Sequence, residues 1–450
     1  MKAARKIRQH LGVPGTAALA IVLAAVIGAG ALVVSHSSAS RPKSGSVVLD
    51  GSHPKKVAHH HHAKVRPIHL VSVWPRAGEA GVTFTPHVIV KFSQPLGQKT
   101  VLPVLSPSLP GTWSRTAPNE LEFQPTGNYW PFTRVSVHVP GGPTGITSAG
   151  GATLAATHVT HFTVRAGSTL RLQQLLAELG YLPVNFTPSP TSSTSAATGS
   201  YQGTQATAAT TSSQTTPTTA ALPPGPSGPP GYGTVLSNPP ATPAADISEP
   251  ARAVDIPLVP LKGTFSWRYP NVPRALSSLW SPGSYNVMTQ GAVMSFEENN
   301  GLATDGVAGP IVWATLLHAV ATRQVNTFGY DWVYVSMGSP EYVNLWRNGQ
   351  VIFQTLANTG IPQSPTQPGT WPVYLRFVTT TMSGTNPNGT HYNDPGIPWV
   401  SYFHGGDALH GFIRAAYGFP QSLGCVEMPF SSAQTLYPYT PIGTLVTVAN

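Results

Sequence analysis

The chain contains one cysteine among its 450 residues, and only 9% of its residues are charged. A single cysteine excludes an internal disulfide, so Cys425 is an unpaired thiol whose presence needs a reason. The scarcity of charge, together with 44 glycines and 46 prolines, favours a loop-rich and mainly β protein over a helical one. The length is sufficient for several domains.

The formal charge of +9 belongs to the N-terminal arm. Residues 1–66 carry ten lysines and arginines and one acid, Asp50, whereas the remaining residues carry fifteen of each sign. No basic face therefore belongs to a folded domain, which argues against a nucleic-acid partner. The run His59–His62 lies among polar residues without cysteine or acidic partners, so we predict no metal site and no cofactor.

An uncharged apolar run extends from Ala17 to Val34, after four basic residues between positions 2 and 8. At ~1.5 Å per residue, the run is just long enough to span a bilayer as a helix. The preceding basic residues place the N-terminus in the cytoplasm and the rest of the chain outside. We therefore predict a cytoplasmic segment and membrane anchor at residues 1–35 and a basic flexible linker at residues 36–66. The alternative is a signal peptide cleaved near Ser38–Ser40, and either way the chain is exported.

Short β runs separated by turn residues occupy residues 67–165. Their alternation of apolar and polar residues and their frequent Pro and Gly predict a β-sandwich of about immunoglobulin size. The segment resembles bacterial Ig-like domains. The stretches that carry this resemblance are Trp74-Pro75, Val88–Pro95, Gly111–Trp113 and Leu121–Pro125.

A helical segment follows, interrupted by an insertion. Leu172, Leu175, Leu176 and Leu179 have the spacing of an amphipathic helix, which Gly180 ends. Residues 187–255 are rich in Ser, Thr, Pro and Ala and cannot bury enough apolar surface to offset their chain entropy, so we predict disorder there. Further helices are expected at residues 291–297 and 311–317.

Residues 166–186 and 256–322 together resemble a small three-helix peptidoglycan-binding domain, split by that insertion. The carrying stretches are Leu172–Leu176, Leu179–Pro183, Ala292–Phe296, Gly301-Leu302, Asp305-Gly306, Gly309 and Trp313. The resemblance implies contact with the cell wall. The alternative is a helical adaptor that packs against its neighbours.

Strands return in residues 329–448 and predict a C-terminal β-rich domain. The expected strands are Trp332–Ser336, Tyr342–Trp346, Val351–Leu356, Trp371–Phe377 and Thr444–Val448. Asn348-Gly349 predicts a tight hairpin between the second and third of them.

The residues that carry chemistry lie between positions 404 and 428. A nucleophilic thiolate needs a nearby base and backbone N–H groups for an oxyanion. Cys425 follows Gly424, whose lack of a side chain frees the backbone for such N–H groups. His404 and His410 are both candidate bases, and spacing alone does not separate them. The carbonyl of Gly411 can approach the His410 imidazole and fix its tautomer. Without these roles, Cys425 would be a buried inert thiol.

The C-terminal domain resembles the catalytic domain of the L,D-transpeptidases, the YkuD family. The matching stretches are Asn344–Gln350, Asn358–Ile361, Ser364–Trp371, His410-Gly411 and Ser422–Cys425. The resemblance implies that Cys425 is the nucleophile, that His410 accepts and donates the proton, and that Ser422 and Gly424 belong to the nucleophile loop. His404 is expected near the cleft mouth, where it contacts substrate.

Two positions depart from the family pattern. Leu423 stands where the family commonly has His, and Glu427 stands where it commonly has Arg or Asn. Leu423 cannot hydrogen-bond substrate through its side chain. Glu427 either binds an amine acceptor or anchors the loop.

The resemblance implies an enzyme that cross-links peptidoglycan. Cys425 would attack the carbonyl of the third residue of a tetrapeptide stem and release the terminal D-Ala, and the acyl group would pass to the side-chain amine of another stem. One alternative uses water as the acceptor, which makes the enzyme an L,D-carboxypeptidase. Another is a non-catalytic scaffold that binds the cell wall. The expected partners are peptidoglycan stem peptides and, through the N-terminal helix, the cell membrane.

Overall fold

The computed structural model describes residues 65–190 and 256–450. The predicted membrane anchor, nearly all of the predicted linker and residues 191–255 of the predicted insertion lie outside the described residues. Within the two described ranges, no helix is long and apolar enough to cross a membrane. The prediction of a mainly β chain with several domains is confirmed.

The first described domain is a sandwich of two antiparallel sheets. Its strands are β1 (Leu70–Trp74), β2 (Val88–Phe92), β3 (Val104–Ser106), β4 (Gly111–Ala117), β5 (Glu120–Pro125), β6 (Arg134–Val139) and β7 (His158–Thr163). One sheet has the order β1-β2-β5-β4 and the other β3-β6-β7. Val88, Val90 and Phe92 are fully buried because alternate side chains of a strand point to one face.

Helices and a two-stranded sheet form the next segment. Its elements are α1 (Thr169–Glu178), β8 (Val184–Pro188), β9 (Gly263–Trp267), α2 (Arg274–Ser277), α3 (Val287–Asn299) and α4 (Pro310–Thr322). The side chain of Ser168 caps α1 by accepting from the Arg171 N–H, and Gly180 follows the helix with φ of +82°. Pro310 begins α4, where its missing N–H costs no hydrogen bond.

The three longer helices lie where the sequence predicts them, although α3 and α4 extend beyond the predicted ranges. The predicted start of the insertion is wrong by a few residues. Thr187 and Pro188 complete β8, which pairs with β9 across the insertion. The two strands pair through backbone hydrogen bonds, which any side chain permits. The polar side chains of β8 therefore gave no sign that the strand continues to Pro188.

The C-terminal domain contains nine strands. They are β10 (Asp331–Ser336), β11 (Tyr342–Arg347), β12 (Gln350–Leu356), β13 (Gly369–Pro372), β14 (Leu375–Thr385), β15 (His391–His404), β16 (Asp407–Gly411), β17 (Val426–Met428) and β18 (Leu445–Ala449). Helix α5 (Phe430–Leu436) and a 3-10 turn at Tyr437–Tyr439 precede β18. One sheet has the order β12-β11-β10-β18-β13, and the second has the order β14-β15-β16-β17.

The predicted strand Trp371–Phe377 is wrong as a single element. It divides at Pro372 into β13 of the first sheet and β14 of the second. Proline has no N–H to donate to a ladder, so the pairing with β18 ends there. Val373 and Tyr374 then cross between the sheets, with their N–H groups bonded to Thr444 and Tyr402 carbonyls.

Apolar residues of the two sheets form one shared core. Val333, Val335 and Leu345 from the first sheet pack with Leu409 and Val426 from the second. Since β16 and β17 each bury one face in this core, their other faces are fixed toward the opposite side. That other face carries the candidate functional residues.

The helical segment packs directly on the C-terminal domain through α3. A Cβ added at Gly291 would lie 2.5 Å from the Gly443 carbonyl oxygen, so only glycine permits this approach. One turn further, the Ser295 hydroxyl donates to the Ile442 carbonyl at 3.0 Å. This packing agrees with the adaptor alternative, while the resemblance to a peptidoglycan-binding domain stays a prediction.

Candidate active site

The single cysteine stands immediately before β17, at the end of a short loop. We call residues 422–425 the cysteine loop. Strand β17 pairs in parallel with β16, with His410 opposite Glu427 and Leu409 opposite Val426. Because side chains alternate along a strand, Cys425 and Glu427 share the face on which His410 lies. The fold thus brings the three residues together.

Three hydroxyl groups hold three consecutive carbonyls of the cysteine loop. Ser364 donates to the Leu423 carbonyl at 2.9 Å, and Thr366 donates to the Gly424 carbonyl at 2.7 Å. Ser422 donates to the Cys425 carbonyl at 2.5 Å and also accepts from the Gly424 N–H at 3.2 Å. The loop backbone is therefore fixed on one side by side chains from two parts of the chain.

Ser422 is only 1% exposed. Its hydroxyl is occupied by two backbone groups of its own loop. In this arrangement the side chain fixes the loop backbone and does not face a substrate. Besides its place in the nucleophile loop, the family resemblance implies that Ser422 contacts substrate; its burial and its two backbone partners favour a positioning role instead.

Gly424 has a conformation and a position that exclude other residues. Its φ is +122°, and an added Cβ would lie 2.4 Å from Oδ1 of Asp407. The Asp407 carboxylate is therefore in close contact with the cysteine loop. The sequence analysis did not single out Asp407, although it stands between the two candidate histidines.

His410 lies inside β16 and is 2% exposed. Its Nδ1 is 3.0 Å from the Gly411 carbonyl oxygen. Since a carbonyl only accepts hydrogen bonds, Nδ1 carries the proton and Nε2 is left as the basic nitrogen. Burial lowers the pKa of His410 below its ordinary value, while the Gly411 carbonyl and Glu427 oppose that shift. The ring is accordingly neutral in the resting protein.

The Cys425 thiol is protonated in the resting protein. Burial raises its pKa to about 12, the Asp407 and Glu427 carboxylates add to the shift, and the Ala408 N–H opposes it. The thiol donates a hydrogen bond to the Gly406 carbonyl, with 3.6 Å between Sγ and the oxygen. Within the described residues, no hydrogen bond joins Cys425 to His410. Catalytic hydrogen bonds are often long before substrate binds, and the pairing of β16 with β17 keeps His410 and Cys425 on one face of the sheet.

Glu427 is already paired with a cation. Its two carboxylate oxygens accept from Nε and Nη2 of Arg414 at 2.7 and 2.8 Å, and its side chain is 6% exposed. The Arg414 guanidinium also lies over the Phe412 ring at 4.6 Å. This bidentate geometry favours the loop-anchoring alternative for Glu427 over the binding of an acceptor amine.

His404 is the last residue of β15 and stands at the edge of the site. Gly405 and Gly406 form the turn to β16, which we call the hairpin tip. The His404 side chain is 38% exposed, and its Nδ1 lies 3.6 Å from Oδ2 of Asp407. Its ring packs on Trp371 with 4.4 Å between ring centroids. The structure thus places His404 at a strand end beside Asp407, and its predicted contact with substrate stays a prediction.

Sequence analysis missed several residues that shape the site. Ser364 and Thr366 lie within a stretch that carries the family resemblance, which was the available signal for them. Asp407 and Arg414 had no such signal, because their partners are set by the fold. Among residues 65–190 and 256–450, no group of three or more His, Cys, Asp or Glu side chains could hold a metal ion.

Comparison with family sequence models gives two matches. Residues 330–448 match the L,D-transpeptidase catalytic domain, YkuD, and residues 64–164 match the bacterial Ig-like domain. The resemblances to the YkuD and bacterial Ig-like domains are thereby confirmed, and the resemblance to a peptidoglycan-binding domain stays a prediction. No curated protein matches the chain.

Several solved structures of L,D-transpeptidases are similar to the chain. An L,D-transpeptidase from Mycobacterium smegmatis is 10% identical, and the match covers 85% of this chain and 99% of that one with a TM-score of 0.25. L,D-transpeptidase 3 from Mycobacterium tuberculosis is 11% identical over 85% and 98% of the two chains, with a TM-score of 0.24. The catalytic domain of the E. faecium L,D-transpeptidase, determined by NMR, is 25% identical over 27% and 99%, with a TM-score of 0.25.

The sequence matches agree in position with the two β domains of the structure. The Ig-like match covers the β1–β7 sandwich, and the YkuD match covers the β10–β18 domain with the cysteine loop. The chain thus carries a bacterial Ig-like domain and, at its C-terminal end, an L,D-transpeptidase catalytic domain of the YkuD family.

Proposed function

We propose that this protein is a cysteine-dependent L,D-transpeptidase that cross-links peptidoglycan. Cys425 attacks the carbonyl of the third residue of a tetrapeptide stem, the terminal D-Ala leaves, and the acyl group passes to the amine of an acceptor stem. The observation that carries the proposal is the cysteine loop itself. The only thiol of the chain stands on a loop whose three carbonyls are held by hydroxyls, beside a buried neutral histidine.

The proton of Cys425 has to leave during attack, because a thiol with a raised pKa is almost entirely unionised at neutral pH. We assign its acceptance to Nε2 of His410. The Gly411 carbonyl holds Nδ1 protonated and so keeps Nε2 basic. The same nitrogen then donates the proton to the amine of the departing D-Ala.

The oxyanion of the tetrahedral intermediate needs fixed donors. Thr366 holds the Gly424 carbonyl, and the peptide bond to Cys425 is planar and trans, so the Cys425 N–H points to the opposite side. This N–H is our assigned oxyanion donor. The Gly424 N–H is engaged by Ser422 and serves the loop geometry instead.

The cellular setting follows from the N-terminal sequence and is also a proposal. The apolar run Ala17–Val34 would hold the chain in the cell membrane, with the catalytic domain outside in the wall. The Ig-like domain and the helical segment would then separate the catalytic domain from the membrane. Peptidoglycan stem peptides are the proposed partners.

The test uses the purified full-length protein with a disaccharide-tetrapeptide and mass spectrometry of the products. We expect cross-linked dimer together with free D-Ala, and no turnover in Cys425→Ala. Tripeptide without dimer would identify an L,D-carboxypeptidase instead. If the protein gives no product and no covalent adduct with a carbapenem, it is the non-catalytic wall-binding scaffold. The raised pKa of the Cys425 thiol and the presence of Leu423 are the two features that favour this alternative.

A further inference from the structure

The hairpin tip lies directly against the cysteine loop. The Gly406 carbonyl accepts from the Cys425 thiol, and Oδ1 of Asp407 lies 2.4 Å from the position that a Cβ of Gly424 would occupy. Asp407 also contributes to the raised pKa of the thiol. A carboxylate therefore stands beside the group that has to lose a proton.

The two carboxylates near Cys425 differ in how they are compensated. Arg414 neutralises Glu427 with two short hydrogen bonds. Asp407 receives one hydrogen bond, from the Gln367 N–H at 3.2 Å, and faces His404 at 3.6 Å, which is too long for a hydrogen bond. Burial raises the pKa of Asp407, while the Gln367 N–H and His404 oppose that shift. When ionised, Asp407 carries a negative charge that is not held by a bidentate cation as Glu427 is. That charge opposes formation of the thiolate but would attract a cation.

His404 is placed to receive a proton from a molecule that approaches from solvent. Its side chain is 38% exposed, whereas His410 is almost fully buried. Its Nδ1 faces Asp407, so Nε2 points away from that carboxylate, and Trp371 supports one face of the ring. The other charged or titratable groups around this cluster are the Cys425 thiol and Tyr374, whose hydroxyl donates to the Gly405 carbonyl.

We propose that His404 and Asp407 form the site that binds and deprotonates the acceptor amine in the second half of the reaction. The proposal rests on the proposed function. The acceptor amine is the side-chain ammonium of a second stem, and an ammonium cannot attack a thioester until it loses a proton. Asp407 would draw the cation to the acyl-enzyme, and His404 would remove the proton.

The protons and bonds of this step balance. One ammonium proton passes to Nε2 of His404 and from there to solvent. The neutral nitrogen attacks the thioester carbonyl carbon, so a C–N bond forms and the C–S bond breaks, with its electron pair on Sγ. The second nitrogen proton passes through His410 to Sγ, which restores the Cys425 thiol. His410 therefore serves both half-reactions and His404 only the transfer to an amine.

The experiment measures how the acyl-enzyme divides between amine and water. Full-length wild type, His404→Gln and Asp407→Asn are supplied with a tetrapeptide donor and an acceptor stem, and dimer and tripeptide are counted. We expect the ratio of dimer to tripeptide to fall by about tenfold or more in both variants, since general bases contribute about 10²–10⁴-fold. In Asp407→Asn the loss should appear mainly as a raised KM for the acceptor.

A second acceptor separates proton removal from structural damage. Hydroxylamine is uncharged at neutral pH and needs no base, so His404→Gln should transfer its acyl group to hydroxylamine at close to the wild-type ratio. His318→Gln, an exposed histidine on α4, is the matched control and should keep the wild-type ratio with both acceptors.

Two results would overturn the inference alone. The first is an acyl-enzyme of His404→Gln that divides between dimer and tripeptide as the wild type does. The second is an equal loss of transfer to the ammonium acceptor and to hydroxylamine, which would indicate a structural role. A wild-type protein that never forms the acyl-enzyme would overturn the proposed function and this inference together, and intact-protein mass spectrometry distinguishes that case.

Discussion

The two histidines that flank the site stand in opposite surroundings. His410 is buried inside β16, its Nδ1 bonds to a carbonyl, and the charge opposite it on β17 is a paired Glu427. His404 stands at the exposed end of β15, with its Nδ1 3.6 Å from Asp407, a carboxylate that has no bidentate partner like Arg414. The difference shows that two similar His-Gly sequences can have different acid-base surroundings. Burial of the ring and the pairing of the nearest carboxylate set those surroundings. The buried ring suits a proton that stays within the site, and the exposed ring suits one exchanged with solvent.

The largest effect that the comparison predicts is on acylation. His410→Gln removes the internal base, so release of D-Ala should fall by about 10²–10⁴-fold. His404→Gln should lower D-Ala release much less, because the internal base is intact. A stopped assay for free D-Ala measures both variants. If His404→Gln is the more damaged of the two in this assay, the assignment of the internal base to His410 is incorrect.

The second effect is on stability and concerns the compensated carboxylate. Arg414→Met leaves the Glu427 carboxylate buried and without its cation. The variant should lower the free energy of unfolding by about 2–3 kcal/mol. This loss is smaller than the full value for a buried pair because Arg414 is partly exposed. The exposed pair of Lys91 and Glu120 provides a control. Lys91→Met should cost less than about 1 kcal/mol. Equal costs for the two variants in denaturant unfolding would show that Arg414 does not anchor Glu427.

A third effect concerns the cysteine loop. Thr366→Val deprives the buried Gly424 carbonyl and Gly360 N–H of their partner and should cost about 1–3 kcal/mol. Ser364→Ala should cost less, because Ser364 is only half-buried and water can replace its hydroxyl at the Leu423 carbonyl. Thermal unfolding and D-Ala release are measured together. If Thr366→Val loses no more activity than Ser364→Ala, the Thr366 hydroxyl does not orient the Cys425 N–H toward the proposed oxyanion.

The smallest effect is the pH dependence of stability. Burial holds the pKa of His410 below its unfolded value, so the unfolded chain binds more protons than the folded one as the pH falls. This contribution to stability is present above about pH 6.5, the ordinary pKa of histidine, and is lost as the pH falls through the folded pKa. His410→Gln should therefore lose less thermal stability on acidification than the wild type. An unchanged acid dependence would show that His410 is not held neutral by burial.

Much of the architecture could be predicted from local pattern. Alternating apolar residues indicated most strands of both β domains, and Asn348-Gly349 indicated a tight hairpin, where both residues have positive φ. Leucine spacing and Gly180 indicated α1. These signals depend on neighbours within a few positions, which is why the sequence alone carries them.

The long hairpin of β14 and β15 was not predicted. Pro395, Gly396 and Pro398 interrupt β15, and such residues normally indicate a loop. The strand continues because β14 pairs with it on one side along most of its length, and a register shift near Met382 takes up the irregularity. Pairing between strands overrode the local signal.

The sequence by itself determined that one thiol, two nearby histidines and a glycine-rich loop belong to a catalytic domain of the YkuD family. It also indicated that the Gly411 carbonyl reaches the His410 ring and that the loop backbone before Cys425 requires glycine at position 424. Only the tertiary structure decided which carboxylate is neutralised, which histidine is buried and which hydroxyls hold the loop. Those contacts join residues as far as 59 positions apart, as between Ser364 and Leu423, and no local pattern encodes contacts over such a separation. The proposed separation of an internal base, His410, from an acceptor-side base, His404, rests on that difference in burial.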